Sequence, residues 1–200
     1  MVLNNMRKSV LSVSVAAMSC FLVSGLSAAT IPATVTDVTY TAAGTFSTTV
    51  VSGEDTLKLA GEPFSISIYG PEGSKPVDTG TGWAMFGPFG MTGEVHSGLL
   101  GPTPVNIASD DAQIVQGLGG SYDLFQTAFP VKVVGISLEI DATILVPPGT
   151  IAKLGIEPFA ATVKLAPGNA TVIYSDSGAA TTLTVATGTL TAVTGPPPAN

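Results

Sequence analysis

The sequence predicts an all-β protein, an antiparallel β-sandwich or jelly-roll-like single domain, on three observations. Apolar and polar residues alternate with period two in several segments. The chain is rich in Thr, Val, Gly, Ala, Ser and Pro and poor in Leu, Lys, Glu and Arg, the composition of strands and turns. Turn signals recur about every 8 to 12 residues, the spacing of a sandwich or jelly-roll-like barrel. Alternation, in place of unbroken apolar runs, assigns antiparallel strands with one wet face.

Residues 1–29 read as an export signal. Arg7 and Lys8 precede an apolar run over residues 10–23, interrupted by Ser12, Ser14 and Ser19 and followed by the small residues Ser27, Ala28 and Ala29. That run falls short of the roughly 20 residues a membrane-spanning helix requires. Cleavage is expected after Ala29, placing a bacterial protein outside the cell or at its surface, or in a periplasm. Cys20, the single cysteine, sits where a lipoprotein carries its acylated residue, but Ala17-Met18-Ser19 fits that site poorly. Removal of the leader leaves five lysines against fourteen acids, a formal charge of about −9. With no arginine left, such a surface excludes nucleic acid and disfavours anionic membranes.

Residues 30–194 form the predicted domain. The clearest strand is Ile136–Val146, where Ile136, Leu138, Ile140, Ala142, Ile144 and Val146 share one face and Ser137, Glu139, Asp141 and Thr143 the other. Pro147-Pro148-Gly149 ends it. The same alternation marks residues 64–69 and 159–165. Further strands are expected over 34–42, 45–51, 121–129, 170–175, 181–186 and 189–193. Short helices are expected at 109–116, where Ser109 caps and Asp110 and Asp111 suit the dipole, and at 150–154. Gly44-Thr45-Phe46-Ser47 is echoed by Gly188-Thr189-Leu190-Thr191. Residues 195–200 form a stiff Pro-rich tail.

Within residues 44–69, Gly53-Glu54-Asp55-Thr56-Leu57 leads through Leu59-Ala60-Gly61-Glu62-Pro63-Phe64 into Ser65-Ile66-Ser67-Ile68. This stretch resembles segments of secreted bacterial β-proteins, many of which carry a Pro-Glu-Pro sorting tail; the motif is not in this sequence. The resemblance implies export and a β fold, and no activity.

Little in the chain points to catalysis. His96 is the single histidine, so a Ser-His-Asp or Cys-His arrangement has one candidate base and no Gly-x-Ser-x-Gly elbow. Zinc wants three or four His or Cys ligands. No cofactor is assigned. Calcium stays open, with oxygen donors at Glu54, Asp55, Asp110, Asp111, Asp123, Asp141 and Asp176 but no EF-hand spacing. Residues 80–104 read as a long irregular segment that gathers Trp83, Met85, Phe86, Phe89, Met91 and His96 among glycines and prolines.

Three functions follow as expectations. The first is a secreted, non-enzymatic structural or extracellular-matrix protein that self-associates through exposed strand edges. The second is a carbohydrate-binding or adhesive module, with Trp83, Phe86, Phe89 and His96 as ligand-binding residues and an extracellular glycan as partner. The third is a secreted glycoside hydrolase with paired carboxylates drawn from Glu62, Glu94, Glu139 and Asp141.

Overall fold

The structure is a computed structural model that describes residues 36–133, 135–176 and 179–195. The expected leader over residues 1–29, with Cys20, and residues 196–200 of the expected tail lie outside the described residues. Ten strands follow one another: β1 (Asp37–Ser52), β2 (Pro63–Pro71), β3 (Asp78–Gly80), β4 (Trp83–Ser97), β5 (Gly101–Leu118), β6 (Asp123–Val133), β7 (Ile136–Val146), β8 (Val163–Leu165), β9 (Ala170–Asp176) and β10 (Ala179–Gly195).

The protein is all-β, and its strands make one continuous sheet. The order β1-β2-β4-β5-β6-β7-β9-β10 is antiparallel throughout, and β10 returns to β1, closing an eight-stranded up-and-down barrel. The sandwich or jelly-roll expectation is corrected on this point: each wall strand pairs with its sequence neighbours, whereas those folds divide the strands between two sheets. The short β3 adds to β4, and β8 extends the line of β9 along β10. Residues 109–116 belong to β5, where Ser109 Oγ accepts from the Asp111 amide within the strand. Residues 150–154 are a bent loop. Neither is the expected helix. The segments expected at 34–42 and 45–51 are one strand, as are 181–186 and 189–193.

Strand register divides the wall cleanly. Leu190, Ala42, Ile66, Gly93 and Ile107 lie opposite one another across β10, β1, β2, β4 and β5, on the inner face. One residue along, Thr191, Thr41, Ser67 and Thr92 form the matching outer row, with the Thr41 and Ser67 hydroxyls 2.9 Å apart. The faces of β7 fall as its alternation predicts, with Leu138, Ile140, Ile144 and Val146 buried. This polarity, apolar within and hydroxyl-rich without, is the reverse of a bilayer-spanning barrel's. Among the described residues no helix is long and apolar enough to cross a membrane.

Loops cover both ends. At the end where β1 begins, residues 147–162 fold inward as a stopper, burying Ile151 and Ile156. Phe159 joins Tyr40 and Phe125 in an aromatic trio with ring centroids 5.0 to 5.8 Å apart. At the other end residues 53–62 form a lid that brings Leu57 and Leu59 over the interior. The lid is bounded by Gly53 and Gly61, whose φ values of 82° and 84° favour glycine.

Candidate functional site

The interior is packed, but not completely. Phe46 and Phe64 stack at 4.6 Å near the lid, while the trio fills the stopper end. Between them the inward positions include the small side chains Ala42, Ala142 and Ala170, and a cavity of about 80 Å³ remains. Its wall is almost wholly carbon, from residues such as Ile68, Ile107, Phe129, Ile140, Ile144 and Leu190. Leu57 and Leu59 of the lid line it; Ile151, Ile156 and Phe159 of the stopper do not. No lining residue is acidic or basic.

Three lining hydroxyls already serve the loops. Tyr40 donates to the Glu157 carbonyl at 2.9 Å and accepts from its amide at 3.0 Å. Burial pushes the Tyr40 phenol well above its ordinary range, so the hydroxyl keeps the proton it donates. Tyr174 donates to Asp55 Oδ1 at 2.9 Å, and the two Asp55 oxygens accept from the Leu59 and Ala60 amides. Ser97 donates to the Leu57 carbonyl. Above the cavity, Gln116 Oε1 accepts from the Gly155 amide at 2.8 Å, and Asp123 Oδ2 accepts from Gly149 at 2.8 Å and Ile151 at 3.4 Å. Sequence reasoning missed these anchors. Their signal was present, since Gln116 and Asp123 are polar residues at inward positions of otherwise apolar strand faces.

The residues singled out in 80–104 do not converge. Most of that segment is regular β4, with a bulge and a cis peptide bond at Gly87-Pro88, so the expectation of an irregular loop is corrected. Phe86 is fully buried, and Phe89 is buried against Gly70, whose added Cβ would lie 2.4 Å from its ring. Trp83 is 37% exposed at the start of the strand, its indole lying over Gly80. His96 is half-buried near the opposite end, on the same face as Glu94. Trp83 and His96 thus sit about a strand's length apart, and Phe86 and Phe89 offer no surface for sugar stacking.

The candidate carboxylates fall on different elements: Glu62 in the lid, Glu94 on β4, and Glu139 and Asp141 on β7. Among the described residues no three of His, Cys, Asp and Glu gather as a metal site. Glu139 and Asp141 are neighbours on the outer face of β7. Partial burial raises the Asp141 carboxyl above the ordinary carboxylate range, and the charge of Glu139 adds to this. A carboxyl with a raised folded value costs stability once ionised. The wild type is therefore expected to lose stability as pH rises through that raised value, while Asp141→Asn does not. Because Asp141 is partly solvated, the variant's advantage at pH 7 should stay below about 1 kcal/mol and vanish near pH 3. Thermal melts of both proteins across that pH range check the sign.

Fold and interior together define a closed up-and-down barrel that encloses a small apolar cavity and seals it with a loop at each end. Comparison with family models, curated proteins and solved structures finds no match to this chain.

Proposed function

We propose that this is an exported, non-enzymatic barrel that binds a small apolar molecule in its interior. The observation that carries the reading is the cavity of about 80 Å³ walled by carbon in a barrel otherwise packed with aromatic and branched side chains. An apolar void of this kind stays dry and takes apolar guests; one of about 150 Å³ accepts benzene or xenon, so half that volume suits xenon or a few carbons of a chain. Export rests on the leader-like residues 1–29. The non-enzymatic reading rests on the poverty of reactive groups in the sequence, with one histidine in all.

The first expectation, assembly through strand edges, is weakened by closure, which pairs β1 with β10 and removes the two edges an open sheet would expose. The glycan reading retains Trp83 alone of its three aromatic residues.

Under xenon pressure, methyl resonances of Ile140, Ile144 and Leu190 are expected to shift saturably while methyls on the outer face, such as Val193, do not. Ala142→Leu fills the void and should abolish those shifts, leaving the melting temperature unchanged or raised by the equivalent of about 1 kcal/mol. Absence of a saturable shift in the wild type overturns the reading.

A further inference from the structure

The ladder between β5 and β6 is incomplete. Among the described residues it runs only from Gln113↔Ala128 to Leu118↔Asp123, the half nearest the stopper. Beyond it β5 stays bonded to β4 as far as Ser97↔Gly101, and β6 stays bonded to β7 as far as Val133↔Ile136. The barrel wall therefore splits into two lips, residues 101–111 on one side and 129–133 on the other. The sequence accounts for the split: Pro130 lacks the amide that a ladder needs, and the stretch of β5 that would face residues 129–133 is where its register against β4 shifts, between Ser109 and Ala112. Prolines also guard such edges against an added strand, which argues against a peptide as the occupant.

The inward side chains of the lips are apolar, and they belong to the cavity. Leu100, Val105 and Ile107 line it from one side and Phe129 and Val133 from the other. Leu100 and Val105 are half-buried, so this part of the cavity wall is not fully shielded from solvent.

We infer that the cavity is loaded sideways through this slit, and that its ligand is a hydrocarbon chain whose far end stays outside the barrel. The inference rests on the apolar-ligand reading above. A void of about 80 Å³ holds only the end of such a chain, and a lateral slit, unlike a sealed vault, lets the remainder trail outside. The cavity wall is almost wholly carbon, and the hydroxyls of Tyr40, Ser97 and Tyr174 are engaged with the loops, so the inserted part is the apolar one.

The test uses an octyl chain carrying a dansyl head, with binding followed by stopped-flow fluorescence. In a Cys20→Ser chain, Asp110→Cys and Lys132→Cys place exposed thiols on the two lips, to be bridged by a bifunctional thiol reagent. Bridging is expected to slow association at least tenfold. The same bridge across the intact β4–β5 ladder, between Glu94→Cys and Asn106→Cys, leaves the rate unchanged. Hydrogen exchange on the unaltered chain gives a second reading: amides of residues 101–111 and 129–133 should gain protection when the probe binds. Binding at the same rate with the lips bridged, and without that protection, overturns the slit. Xenon uptake without any binding of the headed chain also overturns it and leaves the apolar-ligand reading standing. Failure of both xenon and the octyl probe removes that reading and this inference with it.

Discussion

Gly188→Val is expected to prevent the barrel from closing, at a cost of about 3 kcal/mol or more and a fall in melting temperature of roughly 10 °C. Gly188 of β10 lies directly opposite Gly44 of β1, at the pair that joins the last strand to the first. A Cβ on Gly188 would stand 2.5 Å from the Ala43 carbonyl oxygen, and one on Gly44 2.3 Å from that of Thr187. Both obstacles are backbone, so relief requires the strands to separate. The register turns irregular just beyond this pair, between Thr45 and Ser52, so the strain falls at the end of the regular ladder that begins at Asp37. The cost should appear as slower folding too, because this pairing joins residues far apart in sequence. Gly195→Ala, at a glycine with open space around it, serves as the control and should shift the melting temperature by no more than about 1 °C. Equal melts for Gly188→Val and wild type would show that the seam tolerates a side chain and that closure does not depend on it.

How much of this was legible depends on what period two can carry. The alternation of β7 gives its bounds and both faces, because one face meets carbon and the other water along its whole length. Closure was not legible, since sandwiches and barrels impose the same alternation on each strand. The echo between residues 44–47 and 188–191 did hold the information: it is the seam itself, two glycines pinched together and flanked by outward threonines. Residues 80–104 misled for a related reason. Their glycines suggested a loop, yet several mark close approach within regular β4. A Cβ on Gly90 would lie 2.5 Å from the Tyr69 ring, and one on Gly93 2.5 Å from the Ser65 carbonyl oxygen. Phe86 and Phe89 fall on either side of the bulge at Gly87-Pro88, which lets both turn into the barrel. The helix expected at 109–116 followed capping chemistry that Ser109 performs inside a strand, a case of tertiary pairing overriding local preference. The cavity was beyond sequence, because it depends on how eight inner faces meet.

The stopper gives the second large effect. Asp123→Ala is expected to release residues 147–162 from the barrel end and to destabilise the protein by about 2 to 4 kcal/mol. Asp123 is buried at the start of β6, and one of its carboxylate oxygens accepts from the amides of Gly149 and Ile151. Removing the side chain leaves those donors without water or acceptor, and the cost of a buried unsatisfied group exceeds the worth of the bond that was lost. Ile151 then loses its seat under the loop, and the contacts of Phe159 with Tyr40 and Phe125 loosen with it. The variant should therefore bind more of a bulky hydrophobic dye than the wild type does. Asp123→Asn keeps a carbonyl oxygen at the same place and should recover more than half of the lost stability, whereas Asp123→Leu, which restores bulk without an acceptor, should not. Gln116→Ala, which orphans the single amide of Gly155, should cost less than Asp123→Ala. Denaturant titration of the four variants orders them, and a loss for Asp123→Asn equal to that for Asp123→Ala would mean that charge, not the acceptor, holds the stopper in place.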